Sequence, residues 1–104
     1  MNKRFCGGIF YDPKIMLELG VEHPVSLLYY LTYKNKKYGI EIVKIQFNED
    51  SKITREVGNI ENISENENVV ISIISKLKAN YVTPIVMQDI IEDMKYEITP
   101  KLNN

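Results

Sequence analysis

A chain of 104 residues is long enough for one domain with a real core, and its 44% hydrophobic and 26% charged content is that of an ordinary globular protein. Thirteen basic against fourteen acidic residues leave a formal charge of −1, which supplies no overall attraction to nucleic acid or to an anionic membrane. The single cysteine excludes an intrachain disulfide and a multi-thiolate metal site; no apolar run approaches the roughly 20 residues of a spanning helix, and MNKRFCGGIFYDP lacks the apolar core of a secretory signal, so a cytoplasmic protein is expected.

Residues 1–24 read as an N-terminal extension. Cys6, beside Gly7 and Gly8, is expected in a mobile terminus as an incidental thiol, since nothing local requires a reactive one. DPKIMLELG predicts a helix of about two turns, with Asp12 as N-cap, Pro13 at the first helical position and Gly20 as the stop. The His23-Pro24 step then favours extended chain.

VSLLYYLTY predicts a strand in which Val25, Leu27, Tyr29, Leu31 and Tyr33 share one face. KNKK is a polar turn, and YGIEIVKIQF is the returning strand of a hairpin. In that strand Ile40 and Ile42 alternate with Glu41, whereas Val43, Ile45 and Phe47 continue in the opposite phase. Either a bulge near Ile42–Val43 or burial on both sides accounts for the change. KITREV is the third strand, with Ile53 and Val57 inward, Arg55 between them in the same phase, and Gly58 ending or bending it.

Ser64 followed by Glu67 has the spacing of a capping box, and Val69, Val70, Ile73, Ile74 and Leu77 form one stripe of the helix that follows. Thr83 and Pro84 open a last helix, whose Val86, Met87, Ile90, Ile91 and Met94 are expected inside, ending near Tyr96–Thr99. The expected architecture is α+β. A three-stranded antiparallel meander (25–63) packs against a pair of C-terminal helices (64–97), preceded by the extension (1–24) and followed by a frayed tail (98–104).

Two clusters are candidates for contact with a partner. Asp89, Glu92 and Asp93 crowd one side of the last helix, opposite its apolar stripe, and would suit a basic protein surface; as a solvated helix face they need no function at all. They do not suit zinc, which takes His or Cys, or calcium, which takes a ligand-rich loop. Tyr33, Lys34, Lys36, Lys37 and Tyr38 gather cations and aromatics at the hairpin tip, a combination able to meet phosphates and stack on bases. Lysines there also serve simply to keep the tip soluble.

A helix-turn-helix reading of the last two helices fails on charge, because its second helix would carry these carboxylates into a major groove. His23 has no Ser or Asp at a spacing that proposes a triad, and Gly7-Gly8 lacks the spacing of a phosphate loop. No catalytic residue, cofactor or metal site is expected. The expected function is therefore non-enzymatic: a small regulatory or adaptor protein that binds a protein partner. Self-association is a further expectation, because the sheet face bearing Leu28 and Tyr30 would otherwise stay open.

The segments YYLTYKNKKYGIEI, NIENISENENVVISIISKLKAN and VTPIVMQDIIEDM, in that order, resemble a family of short uncharacterised proteins from anaerobic, spore-forming Gram-positive bacteria, over roughly residues 27–94. Where that family has histidine after the Pro-Ile pair this chain has Val86, which removes a histidine-centred site. By analogy of size and setting, the alternative expectation is a DNA-recombination accessory factor. It would act on a site-specific recombinase or make weak DNA contact through the 33–38 hairpin.

Overall fold

The computed structural model describes residues 2–98, with side chains to Met94. Four strands form one antiparallel sheet in the order β1-β2-β3-β4: β1 Asn2–Phe10, β2 Val25–Lys34, β3 Lys37–Phe47 and β4 Ile53–Ser64. Helix α1 (Pro13–Leu19) joins β1 to β2, and α2 (Glu67–Ala79) and α3 (Pro84–Ile98) follow β4. Ile98, expected to begin the tail, is the last residue of α3; the rest of that tail and the Lys95 side chain lie outside the described residues.

The sheet thus has four strands where the sequence predicted three, and the supposed extension supplies the fourth. Its register explains why it was hidden. Phe5 pairs with Tyr30 but Gly7 pairs with Tyr29, so Cys6 is an extra residue that breaks the alternation of side chains between faces. Two glycines and two cations further dilute the strand signal. The α2 residue Lys78 crosses this bulge, its Nζ donating to the Cys6 carbonyl at 3.3 Å. Cys6 therefore belongs to an ordered strand and not to a loose end.

The α1 helix is built as its sequence implies. Asp12 accepts a hydrogen bond from Ile15 N at 2.9 Å, and Gly20 closes the helix in the left-handed region at φ 66°. The β2–β3 turn is two residues long, Asn35 and Lys36, both at positive φ, the geometry that keeps a hairpin in line with sheet twist. The α2 cap differs from expectation. Asn66, not Ser64, caps it, accepting from Asn68 N and Val69 N, while Ser64 Oγ accepts from Asn66 N one step earlier.

One face of the sheet carries the core. Val25, Leu27, Tyr29 and Leu31 of β2 and Ile40 and Ile42 of β3 pack against Val70, Ile73, Ile74 and Leu77 of α2 and Met87 and Ile91 of α3. The two helices divide this face: α2 lies over β2 and β3 and reaches β1, whereas α3 lies over β4 and β3. Val86, expected inside the α3 stripe, is exposed instead, as is Ile85 beside it.

The phase change in β3 resolves as burial on both sides. Ile42 faces the helices, Val43 is 2% exposed on the opposite face, and the β2–β3 register runs unbroken from Val25 to Lys34. In β4 the expected orientation is reversed. Ile42 faces Gly58 and Ile40 faces Ile60, so Ile53, Arg55 and Val57 fall on the face away from the helices, and the strand continues past Gly58 to Ser64. Gly58 does mark something: a Cβ there would meet Pro84 O at 2.8 Å, so its bareness lets the α3 N-terminus approach the sheet. Among the described residues no helix is long and apolar enough to cross a membrane.

Candidate functional site

Among the described residues no helix lies on the second face of the sheet. Cross-strand pairing arranges that face in rows. Phe5, Tyr30, Glu41 and Asn59 form an upper row; Gly8, Leu28, Val43 and Val57 a central one; Phe10, Ser26, Ile45 and Arg55 a lower one. Phe47 and Ile53 pair just below. Phe5, Phe10, Ile53 and Val57 are 56%, 58%, 63% and 50% exposed, whereas Leu27, Tyr29, Ile40 and Ile42 on the helix-covered face are wholly buried. A contiguous apolar sheet surface of this kind marks a contact region in a small domain.

One polar cluster is built into it. The Glu41 carboxylate, only 7% exposed as a residue, accepts from Lys3 Nζ at 2.8 Å and from Asn59 Nδ2 at 3.2 Å. Lys3 Nζ also stands 4.7 Å from the centre of the Tyr30 ring, and Phe5 meets that ring edge-on at 5.5 Å. The acid is thus neutralised within the chain, and the upper row presents aromatic surface rather than free charge. Neither Lys3 nor Asn59 stood out in the sequence, because β1 and the β4 phase were both misplaced.

The acidic side of α3 is where it was expected: Asp89, Glu92 and Asp93 are all exposed. Gln88 Nε2 donates to Glu92 at 3.3 Å, and a shallow recess of about 180 Å³ separates these two from Asn59 and Ile60 of β4. Among the described residues no cluster of three or more His, Cys, Asp or Glu is placed to hold a metal.

At the hairpin tip the Tyr33 and Tyr38 rings meet at a tilt of 47° with centres 4.7 Å apart. The structure adds two cations that the sequence left elsewhere, since Asn2 pairs with Tyr33 and brings Lys3 and Arg4 to the same end of the sheet. A recess of about 230 Å³ lies among Lys3, Arg4, Tyr33, Tyr38 and Glu67. Most of this positive charge is already answered. Arg4 bonds Glu67 at 3.1 Å, Lys34 lies 3.7 Å from Glu61, and Lys3 serves Glu41. Among the described residues Lys36 and Lys37 have no carboxylate within ion-pair distance. His23 sits half-buried in the α1–β2 connection, apart from both clusters.

Fold and surface together define a small α+β protein with a helix-covered core and a bare sheet face. Residues 14–97 match the family of unknown function DUF6514, and the chain belongs to that family. The matched span takes in β2 to α3 but starts after β1. No curated protein and no solved structure matches the chain.

Proposed function

We propose that the protein is a non-enzymatic regulatory or adaptor module that acts by binding another polypeptide. The observation that carries this reading is the bare sheet face, whose rows of Phe5, Tyr30, Leu28, Val57, Phe10 and Ile53 have no covering layer in the described chain. The exposed Asp89, Glu92 and Asp93 offer a second contact surface suited to a basic partner. The setting we propose, on the sequence resemblance, is the cytoplasm of an anaerobic spore-forming bacterium.

Affinity capture from the native cell, with and without nuclease, tests the reading. The wild-type chain should retain a nuclease-resistant set of proteins that Val57→Lys loses. An identical set with the two baits would overturn the assignment of this face. Charge reversal of Asp89, Glu92 and Asp93 should leave folding intact and remove whatever depends on the acidic surface.

A second reading, a recombination accessory factor with weak DNA contact, is favoured by the unanswered Lys36 and Lys37 beside the Tyr33–Tyr38 ring pair. It expects retention on duplex DNA at low salt that is lost when Lys34, Lys36 and Lys37 become Glu. Three phosphate contacts correspond to a salt slope of about −2.7. Unchanged retention by that triple variant removes the hairpin from the account.

A further inference from the structure

We infer that the occupant of the bare sheet face is a second copy of this chain, packed face to face about a two-fold axis that crosses the strands at the level of Leu28 and Val43. The inference rests on the binding reading above and names its partner. A two-fold interface must be complementary to itself, because each copy presents the same patch to the other. The row pattern satisfies that requirement under this one axis.

Rotation about an axis across the strands leaves each strand over its own counterpart and exchanges the rows above and below the centre. The upper row of Phe5, Tyr30, Glu41 and Asn59 then meets the lower row of Phe10, Ser26, Ile45 and Arg55. The large Tyr30 faces the small Ser26, and Phe5 faces Phe10. Arg55, which no carboxylate answers among the described residues, comes to the column of the partner copy's Asn59, one strand from the Glu41 carboxylate. Sheets stacked about 10 Å apart leave a guanidinium able to span that gap. In the central row Leu28 and Val57 meet their counterparts, apolar on apolar, over a Val43 that is already buried within each copy. Apolar residues therefore meet apolar ones at the centre and on β1, the large Tyr30 meets the small Ser26, and Glu41, already held by Lys3, faces Ile45.

The extent of the face agrees. Four strands about 4.8 Å apart, each contributing some eight or nine residues at about 3.3 Å, give a footprint of about 540 Å² per copy, or about 1,100 Å² for the pair. That clears the approximate 1,000 Å² floor of a specific interface. Two such sheets would form a sandwich with an apolar interior, the ordinary way for a sheet to bury its second face.

Sedimentation velocity over about 1–500 μM, on the full chain, tests this. The wild-type protein should pass from monomer to dimer. Val57→Lys, which sets two ammonium groups against each other across the axis, should remain monomeric with an unchanged circular dichroism spectrum. Arg55→Glu should weaken the dimer about tenfold or more. Adding Asn59→Lys to Arg55→Glu should restore it, because the pair of substitutions sets opposite charges against each other between copies. A chain that stays monomeric throughout, or a dimer indifferent to Val57→Lys and Arg55→Glu, would overturn the inference. A monomer that still captures other proteins through Val57 overturns the self-pairing and leaves the binding reading standing.

Discussion

The Tyr29 hydroxyl donates to the Val82 carbonyl at 2.8 Å, tying the centre of β2 to the break between α2 and α3. Tyr29 has no exposed surface, and this bond holds the point at which the chain turns from one helix to the next. Tyr29→Phe keeps the ring and strands the buried carbonyl. The variant should lose about 1–3 kcal/mol of stability, read as a lower denaturant midpoint at unchanged slope.

The same burial gives the fold an alkaline limit. Desolvation, with a lesser contribution from Tyr11, pushes the Tyr29 hydroxyl well above its ordinary value of 10.0, and burial followed by Tyr81 raises that of Tyr11. Burial disfavours the phenolate, so the folded state keeps these protons where the unfolded chain releases them. Stability should be intact below about pH 10 and fall above it by about 1.4 kcal/mol per pH unit for each tyrosine still protonated in the fold. Urea titrations between pH 8 and 11 should show the decline, and Tyr29→Phe should make it shallower.

Lys3 anchors β1 through Glu41, whose side chain is 10% exposed against 44% for the lysine. Lys3→Ala leaves that carboxylate with Asn59 as its remaining partner. Because the lysine itself is half in water, the expected loss is about 1–2 kcal/mol, less than for a fully buried pair. The comparison belongs at low micromolar concentration, where the monomer is measured, and Lys3→Arg should recover most of the loss.

On α3, Asp89 stands three and four residues from Glu92 and Asp93. Asp89→Lys converts two like-charge pairs to opposite-charge ones, for a gain of about 0.5–1 kcal/mol that fades in high salt. Thermal melts at low and high ionic strength give the difference. A stabilised variant that also loses a captured partner would identify this surface as maintained for contact rather than for the fold.

The helical part of the fold was legible because its signals are local. Asp12, Pro13 and Gly20 delimit α1 by side-chain chemistry alone, and the α2 stripe of Val70, Ile73, Ile74 and Leu77 repeats at helical spacing. What was lost depended on partners distant in sequence. The β1 strand is a strand because β2 lies beside it, and its Cys6 bulge erased the alternation that would have revealed it. Arg55 and Val57 share a phase, as the sequence implies, but which side that phase faces is decided by pairing with Ile45 and Val43. The second apolar phase of β3, from Val43 to Phe47, and Leu28 and Tyr30 in the outer phase of β2 were the visible signs of the bare face. Asp89, Glu92 and Asp93 are exposed on α3 and Lys34, Lys36 and Lys37 lie at the β2–β3 hairpin, whereas the ion pairs that quench most of the basic end come from Glu41, Glu61 and Glu67 in three different elements.

The most direct measurement is an isotope-filtered NOE experiment on an equal mixture of labelled and unlabelled chain at a concentration that populates the associated state. The account predicts intermolecular contacts from the Tyr30 ring to Ser26, between the Val57 methyls of the two copies, and from Phe5 to Phe10. Intermolecular contacts confined to the α3 surface or the hairpin tip, with none on this sheet face, would contradict it.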